Sequence, residues 1–395
     1  MLSSKLLKFL IPLLFTLAIL LGITQRRHLP DFSFGQKQTI THFKEPSTDS
    51  LEGYYQKSQI LSQSAGTQTS TVNFLATGDI MLSRNVAGTI QKAHDPLLPF
   101  SKMADILKST SFNFANLESP LSGSDYFNPD GSLVFNAPPK FTQGLKDYNF
   151  QVLNLANNHA FDQGLPGIDY TTKFLDGLNI KHEGVGTTLD EAWKPAVVES
   201  NGIKICFIGA SYASSNDGGK TKNNYVARIE DVKNLKLEIQ NSKSLCDFVV
   251  ATMHAGIEYT RTPDQAQKDF AYAAIDAGAD IVIGAHPHWV QTIEKYKGKY
   301  IFYSLGNFIF DQEWSQDTKE GLALKIQISK DKVQNPAMAG AATLDDLQGG
   351  RQGATIRSIE LIPVIIENYS TPRPATLDEI KKILQKIGEK ETILH

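Results

Sequence analysis

The stretch Gly284-Ala285-His286-Pro287-His288 sets two imidazoles two residues apart, just after the apolar run Ile281-Val282-Ile283. In an extended backbone residues i and i+2 project to the same side. The spacing therefore predicts two nitrogen donors aimed at one point, stiffened by the fixed φ of Pro287. Neutral imidazole is the commonest metal ligand among side chains. Four other apolar runs end in a comparable way, at Asp79, at Asn116 with Glu118, at Asn158 with His159, and at His254 with Glu258. Taken singly, the histidines suit strand caps or a satisfied core, Asp79 a helix cap and Asn158 a turn. One shared site accounts for all five places together. A mixture of imidazole, carboxylate and amide donors suits Mn, Fe or Zn rather than Ca²⁺, which takes oxygen alone. The set exceeds what a single four-coordinate structural ion needs, so the expectation is a centre of one or two divalent ions. Two ions about 3.5–4 Å apart across a shared carboxylate would activate a water for attack on a phosphoryl or acyl centre.

Such convergence needs strands that end at a common edge. Val72–Thr77, Phe112–Glu118, Asn149–Leu155, Lys204–Gly209, Phe248–Met253, Tyr300–Ser304, Leu322–Ile328 and Ile356–Val364 read as strands from their apolar, β-branched and aromatic content. Asp105–Lys108 reads as a helical turn, Ile168–Leu178 as a helix with Gly177 near its end, and Asp264–Ala277 as a helix closed by Gly278. Leu377–Ile387 carries a short amphipathic pattern and is expected to pack, not to do chemistry. The alternation predicts an α/β fold with a largely buried sheet. In open α/β sheets ligands bind beyond the carboxyl ends of the strands, which is where the polar residues fall.

The 395 residues are 41% hydrophobic and 21% charged, a globular composition. A net charge of -3, with no basic stripe interleaved with aromatics, gives no reason to expect nucleic acid. Cys206 and Cys246 lie in or beside apolar runs and are expected to be buried free thiols. Lys5 and Lys8 precede the apolar run Phe9–Thr24, which approaches the ~20 residues that span a bilayer. The expected organisation is an uncleaved signal anchor or transmembrane helix over 1–27, a flexible linker over 28–70, a domain over 71–370 and a C-terminal helix over 371–395. Basic residues on both sides of the anchor leave its orientation open. The Gly- and Ala-rich stretch Asn335–Ala354 reads as a mobile excursion.

Six motifs carry a family resemblance. They are Gly-Asp-Ile-Met-Leu-Ser-Arg (78–84), Asn-Leu-Glu-Ser-Pro-Leu (116–121), Asn-Leu-Ala-Asn-Asn-His-Ala-Phe-Asp-Gln-Gly (154–164), His-Ala-Gly-Ile-Glu-Tyr (254–259), Gly-Ala-His-Pro-His (284–288) and Tyr-Ser-Leu-Gly-Asn-Phe-Ile-Phe-Asp-Gln (303–312). In this order the chain from Val72 to Asn368 resembles the CapA family of bacterial capsule and poly-γ-glutamate synthesis proteins, which are related to the calcineurin-like metallophosphatases. The resemblance implies a four-layer αββα sandwich of the metallophosphatase type. It also implies a cell-membrane protein, single-pass, with its domain outside the cytoplasm.

Carried over motif by motif, it implies metal ligands at Asp79, Glu118, Asn158, His254, His286 and His288, and a catalytic histidine at His159. Glu118 is preferred to Asn116 as the shared ligand, because an amide cannot bridge two cations as a carboxylate does. Asp162 stands three residues after His159, where a carboxylate can orient the imidazole. Arg84, Asn307 and Asp311 are candidates for meeting substrate; Glu258 is a ligand, a general base or a loop residue. Where the phosphatases carry a histidine two residues after the aspartate of the first motif, this chain has Met81, a poor ligand for hard divalent ions. The expected function is a metal-dependent hydrolase acting on an anionic cell-surface polymer or its precursor, alongside capsule or poly-γ-glutamate synthase subunits. The other reading is a non-catalytic accessory subunit that binds the polymer.

Overall fold

Strand β1 (Thr69–Ile80) is built by alternation: Val72, Phe74 and Ala76 face one way while Leu75 and Ile80 face the other, and all five are buried. A strand that is apolar on both faces must lie inside a sheet covered on both sides. The computed structural model, which describes residues 69–129, 131–214, 224–331, 353–389 and 391–394, places it there. β1 runs parallel to β2 (Phe112–Leu117), which is followed by the parallel strands β3 (Phe150–Asn154) and β4 (Lys181–Glu183). On its other side lie the antiparallel strands β12 (Glu320–Asp331), β13 (Thr355–Glu367) and β14 (Thr371–Pro374). Short β11 (Asn307–Ile309) joins β1 in parallel, setting Asn307 opposite Asp79.

The second sheet runs in the order β5 (Ala196–Ser200), β6 (Ile203–Ser211), β7 (Phe248–His254), β8 (Ile281–Ala285), β10 (Lys299–Phe302) and β9 (Ile293–Tyr296). Its core strands β6, β7, β8 and β10 are parallel. Three apolar clusters hold the layers. Val72, Phe74, Phe112, Phe114 and Val152 of the first sheet meet Ile205, Phe207, Phe248, Val250 and Ile283 of the second. The far face of the first sheet is covered by α1 (Arg84–Ala93) and α2 (Gly164–Gly177), through Val86, Ile90, Ile168 and Leu175. The far face of the second is covered by α3 (Val232–Leu245) and α4 (Gln265–Ala277), through Leu235, Ile239, Phe270 and Ala274. The packing is thus helix, sheet, sheet, helix, a mixed α/β fold.

Local chemistry explains the boundaries. Helix α4 starts at a capping box, with Asp264 accepting from Gln267 N, and ends where Gly278 adopts φ 116. Helix α3 is capped by Asp231 and was not legible in the sequence, because only Leu235, Ile239 and Ser242 of its fourteen residues are buried. Helix α5 (Leu377–Lys386) sets Ile383 against Ile365 and Ala375.

Two expectations are corrected. Cys206 and Cys246 are not free thiols but a disulfide, with Cα atoms 5.9 Å apart. Helix α3 returns the chain to the start of β7, beside β6, so residues 40 apart in sequence meet at bonding distance. The second correction concerns location. Among the described residues no helix is long and apolar enough to cross a membrane, which overturns the expected placement as a single-pass membrane protein. The anchor expected over 1–27 and the linker up to residue 68 lie outside the described residues, and Thr69 and Ser70 already belong to β1. Of the excursion expected over Asn335–Ala354, all but the last two residues also lie outside them.

Candidate metal centre

Parallel strands of both sheets deliver their carboxyl ends to one buried place. Asp79 is the penultimate residue of β1, Glu118 follows β2, Asn158 and His159 lie in the turn after β3, His254 ends β7, and His286 and His288 follow β8. Two glycines permit the approach. A Cβ on Gly78 would sit 1.8 Å from the carbonyl oxygen of Gly306, and one on Gly284 would sit 2.0 Å from that of Tyr303. Each backbone therefore packs directly against another. Gly284 lies within β8, which runs on to Ala285.

The histidine pair departs from the extended geometry its spacing suggests. His286 has φ 100 and His288 φ 57, so the backbone leaves the strand and turns at both residues. The rings nevertheless stay close, with centroids 6.1 Å apart, and His286 lies 4.8 Å from the ring of His254. Positive φ at bulky residues costs energy and persists only where the surroundings hold it. Here the amide of His286 donates to Asp79 Oδ2 at 3.4 Å.

Asp79, Glu118 and His254 form a compact group whose donor atoms lie within 4.8 Å of one another. All three are fully buried. His254 Nδ1 stands 3.9 Å from Asp79 Oδ1, and its Nε2 stands 3.8 Å from Glu118 Oε1 and 2.8 Å from Asn158 Oδ1. His288 Nδ1 is 3.5 Å from Asp79 Oδ2. Both Glu118 carboxylate oxygens and His286 Nδ1 are buried without any hydrogen-bond partner. Orphaned buried acceptors are costly, and a cation is the group that would satisfy all three. The donor set of imidazole, carboxylate and amide fits a divalent transition metal.

Electrostatics point the same way. Burial first, then the negative charges of Asp79 and Glu258, push the Glu118 carboxyl well above its ordinary range; Arg84 opposes them. Burial, reinforced by neighbouring imidazoles, holds His254 and His286 well below the ordinary histidine value. They are thus kept neutral, the form that ligates.

Asn116 is engaged with the protein through both of its amide atoms. Its Nδ2 donates to Asp79 Oδ1 at 2.7 Å and faces His254 Nδ1 at 3.1 Å, while its Oδ1 accepts from Asn154 Nδ2 at 2.9 Å. Asn157 Nδ2 also reaches Asn116 Oδ1, at 3.3 Å. This lattice of amides fixes the carboxylate and the imidazole from behind. Asn154, Asn157 and this role of Asn116 escaped the sequence reading, although the run Asn-Leu-Ala-Asn-Asn already showed amides massed at a strand end.

His159 presents a different geometry. Its Nδ1 meets Asp162 Oδ2 at 2.8 Å, and its ring stacks on Phe135 with centroids 3.8 Å apart. Asp162 Oδ2 also accepts from the Phe135 amide at 2.6 Å. With Nδ1 turned to the carboxylate, Nε2 faces Glu118 Oε1 at 3.9 Å.

Residues 73–312 match the family model described as "Bacterial capsule synthesis protein PGA_cap". The chain belongs to this family. It is 35% identical over 256 residues to the PGA biosynthesis protein CapA of Bacillus subtilis strain 168, covering 64% of this chain and 67% of that one. It is 30% identical over 261 residues to the capsule biosynthesis protein CapA of Bacillus anthracis, covering 64% and 62%. A third relative, from Mycobacterium tuberculosis, carries the name "Probable polyglutamine synthesis accessory protein" and is 27% identical over 254 residues, covering 60% and 66%. The chain thus spans about two thirds of the length of these relatives.

In this capsule-synthesis protein the three residues expected to meet substrate are engaged with the protein itself. Arg84 pairs with Asp311, donates to Ser132 O at 3.2 Å and lies over the Phe135 ring at 4.8 Å. Asp311 Oδ2 accepts from the Asn85 amide at 3.2 Å. Asn307 stands behind His288: its Oδ1 faces His288 Nδ1 at 2.9 Å, and its Nδ2 donates to Thr318 O at 2.9 Å. The bond to Thr318 assigns the amide nitrogen, so Asn307 offers oxygen to His288 and fixes the Nδ1–H tautomer, leaving Nε2 with the free lone pair. Met81 is fully buried in the cluster beneath α1, and its sulfur accepts from the Ser83 amide at 3.0 Å. Glu258 is exposed on the loop after β7, where only its charge reaches Glu118.

Proposed function

We propose that this family member holds one or two divalent ions, Mn, Fe or Zn, at Asp79, Glu118, Asn158, His254, His286 and His288. The centre serves to hydrolyse a phosphoester or polymer bond during capsule or poly-γ-glutamate synthesis. The observation that carries this reading is the convergence of three orphaned buried acceptors, the two Glu118 oxygens and His286 Nδ1, beside Asp79 and His254. The family resemblance would divide the donors into two groups about Glu118. Asn158, His254 and His286 make the richer one, and Asp79 with His288 the poorer one, since Met81 supplies no imidazole. A bound divalent centre supplies a water of lowered pKa and polarises the bond to be broken.

The chain's own residues supply the rest. Asp162 accepts the Nδ1 proton of His159 and leaves Nε2 to hold or deliver a proton at the leaving group. Phe135 stacks on that ring and restricts its rotation. Asn307 holds His288 in the tautomer that leaves Nε2 its lone pair, and Asn116 packs its amide against Asp79 Oδ1 and His254 Nδ1. Arg84 and Asp311 act together as a strut for the segment that carries Phe135. The partner expected is an anionic polymer or its precursor, handled with synthase subunits.

Elemental analysis of the purified full-length protein tests the reading, alongside hydrolysis assays on phosphoesters and on γ-glutamyl polymer. The expected result is one or two equivalents of metal, with His254→Ala and His286→Ala each losing the same equivalent. A wild-type protein that takes up no divalent metal after incubation with Mn²⁺ or Zn²⁺ overturns it. A second reading, a non-catalytic accessory subunit that binds polymer, draws on Met81 and on the name of the mycobacterial relative, a probable synthesis accessory protein. Full metal occupancy with no hydrolysis of either substrate class favours that reading.

A further inference from the structure

The C-terminal helix looks like packing, but its last residue reaches a charged cluster behind the metal centre. Lys386 Nζ bonds Asp317 Oδ1 at 2.6 Å and Glu320 at 2.8 and 2.7 Å to its two oxygens. Arg261, on the loop after β7, pairs with the same Asp317 and approaches Glu320 Oε2 at 3.6 Å. Glu320 is 3% exposed, so these cations balance a buried carboxylate. The cluster has two arms to His288. On one side, Arg261 Nη1 donates to Val290 O at 2.8 Å, two residues past His288, and its guanidinium lies over the Trp289 ring at 5.1 Å. On the other, Asp317 and Thr318 share the short helix Gln316–Lys319, and Thr318 O fixes the amide of Asn307 that orients His288 Nδ1. The φ of 57 at His288 is a conformation that must be held from outside.

We propose that Lys386 and Arg261 are positioning residues for His288, so that the C-terminal helix tunes the poorer half of the metal centre from behind. The proposal rests on the metal reading above and extends it to residues that touch neither metal nor substrate. Loss of a direct outer partner of a metal-bound histidine typically costs about 10–100-fold in affinity. Lys386 stands further back, and a loss of about 3–10-fold follows for the ion that depends on His288.

Mn²⁺ titration of the full-length protein provides the test, with melting temperature measured on each preparation. His288→Ala identifies the Mn²⁺ class that His288 holds. Lys386→Met, which keeps the methylene stem, is expected to weaken that class about 3–10-fold and leave the His254-dependent class unchanged. Lys386→Arg is expected to restore it. Asp317→Asn reads the same coupling should the Met variant fail to fold. An unchanged His288-dependent class in a Lys386→Met protein of lowered melting temperature makes the cluster structural only and overturns the proposal. So does an equal fall in both classes, or a His254-dependent class with none that depends on His288; in that last case the metal reading itself survives. A wild-type protein that binds no Mn²⁺ removes both.

Discussion

Glu183 gives the sharpest test of the physical reasoning, because its carboxyl is sealed between the two sheets. It ends β4, is 1% exposed, and accepts from Thr252 Oγ1 at 2.6 Å through one oxygen while the other has no partner. Gly209 of the opposite sheet packs against it so closely that a Cβ there would lie 2.9 Å from its Cδ. Burial raises its pKa from 4.5 to about 8, and the Thr252 bond opposes only part of the rise. At roughly 1.4 kcal/mol per pH unit, the two values differ by about 5 kcal/mol. The native carboxyl holds its proton more tightly than the unfolded one. Its stabilising effect is therefore complete below pH 4.5 and is lost progressively as pH rises to about 8. Glu183→Gln keeps the shape and the Thr252 acceptor but cannot ionise. Its stability relative to wild type is expected to be near parity at pH 4.5 and to rise by about 2–5 kcal/mol by pH 8.5, the lower figure allowing for hydration of the charged form. Urea unfolding of both proteins at pH 4.5, 6.5 and 8.5, with chelator present, measures that difference, and titrations elsewhere in the chain cancel in it. A difference that stays flat across this range would refute the assignment of a neutral buried acid.

Two further outcomes are expected. Replacing both Cys206 and Cys246 by Ser opens a loop of 40 residues' separation and is expected to lower unfolding stability by about 4 kcal/mol on the chain-entropy model. Denaturant melts check this, and a variant as stable as the oxidised wild type argues against the bridge. If the centre is hydrolytic, His159→Asn should keep metal content and melting temperature while turnover falls about 10²–10⁴-fold, the usual cost of losing a general acid. Loss of metal along with rate would make His159 a ligand instead.

The sequence by itself determined the parallel core strands and the residue types at their ends. Burial on both faces leaves an unbroken apolar signature, and the polar residue that follows such a run has only the sheet edge to occupy. It also determined helix α4, because an Asp-x-x-Gln box and a terminal glycine are local chemistry. Helix α3 needs its neighbours to be recognised, since a stripe as narrow as Leu235 and Ile239 is no stronger than chance in a polar segment. The fate of the cysteines was decided in three dimensions: an apolar setting suits a thiol or a disulfide equally, and only the return of α3 to β6 brings the sulfurs together. The same holds for the supporting residues. Asn307 and Asp311 follow a strand and looked free to meet substrate, yet their partners, His288 and Arg84, come from distant parts of the chain. Which side chains ligate and which only orient depends on where each hydrogen bond ends, and those ends lie across strands and sheets that a linear pattern does not order.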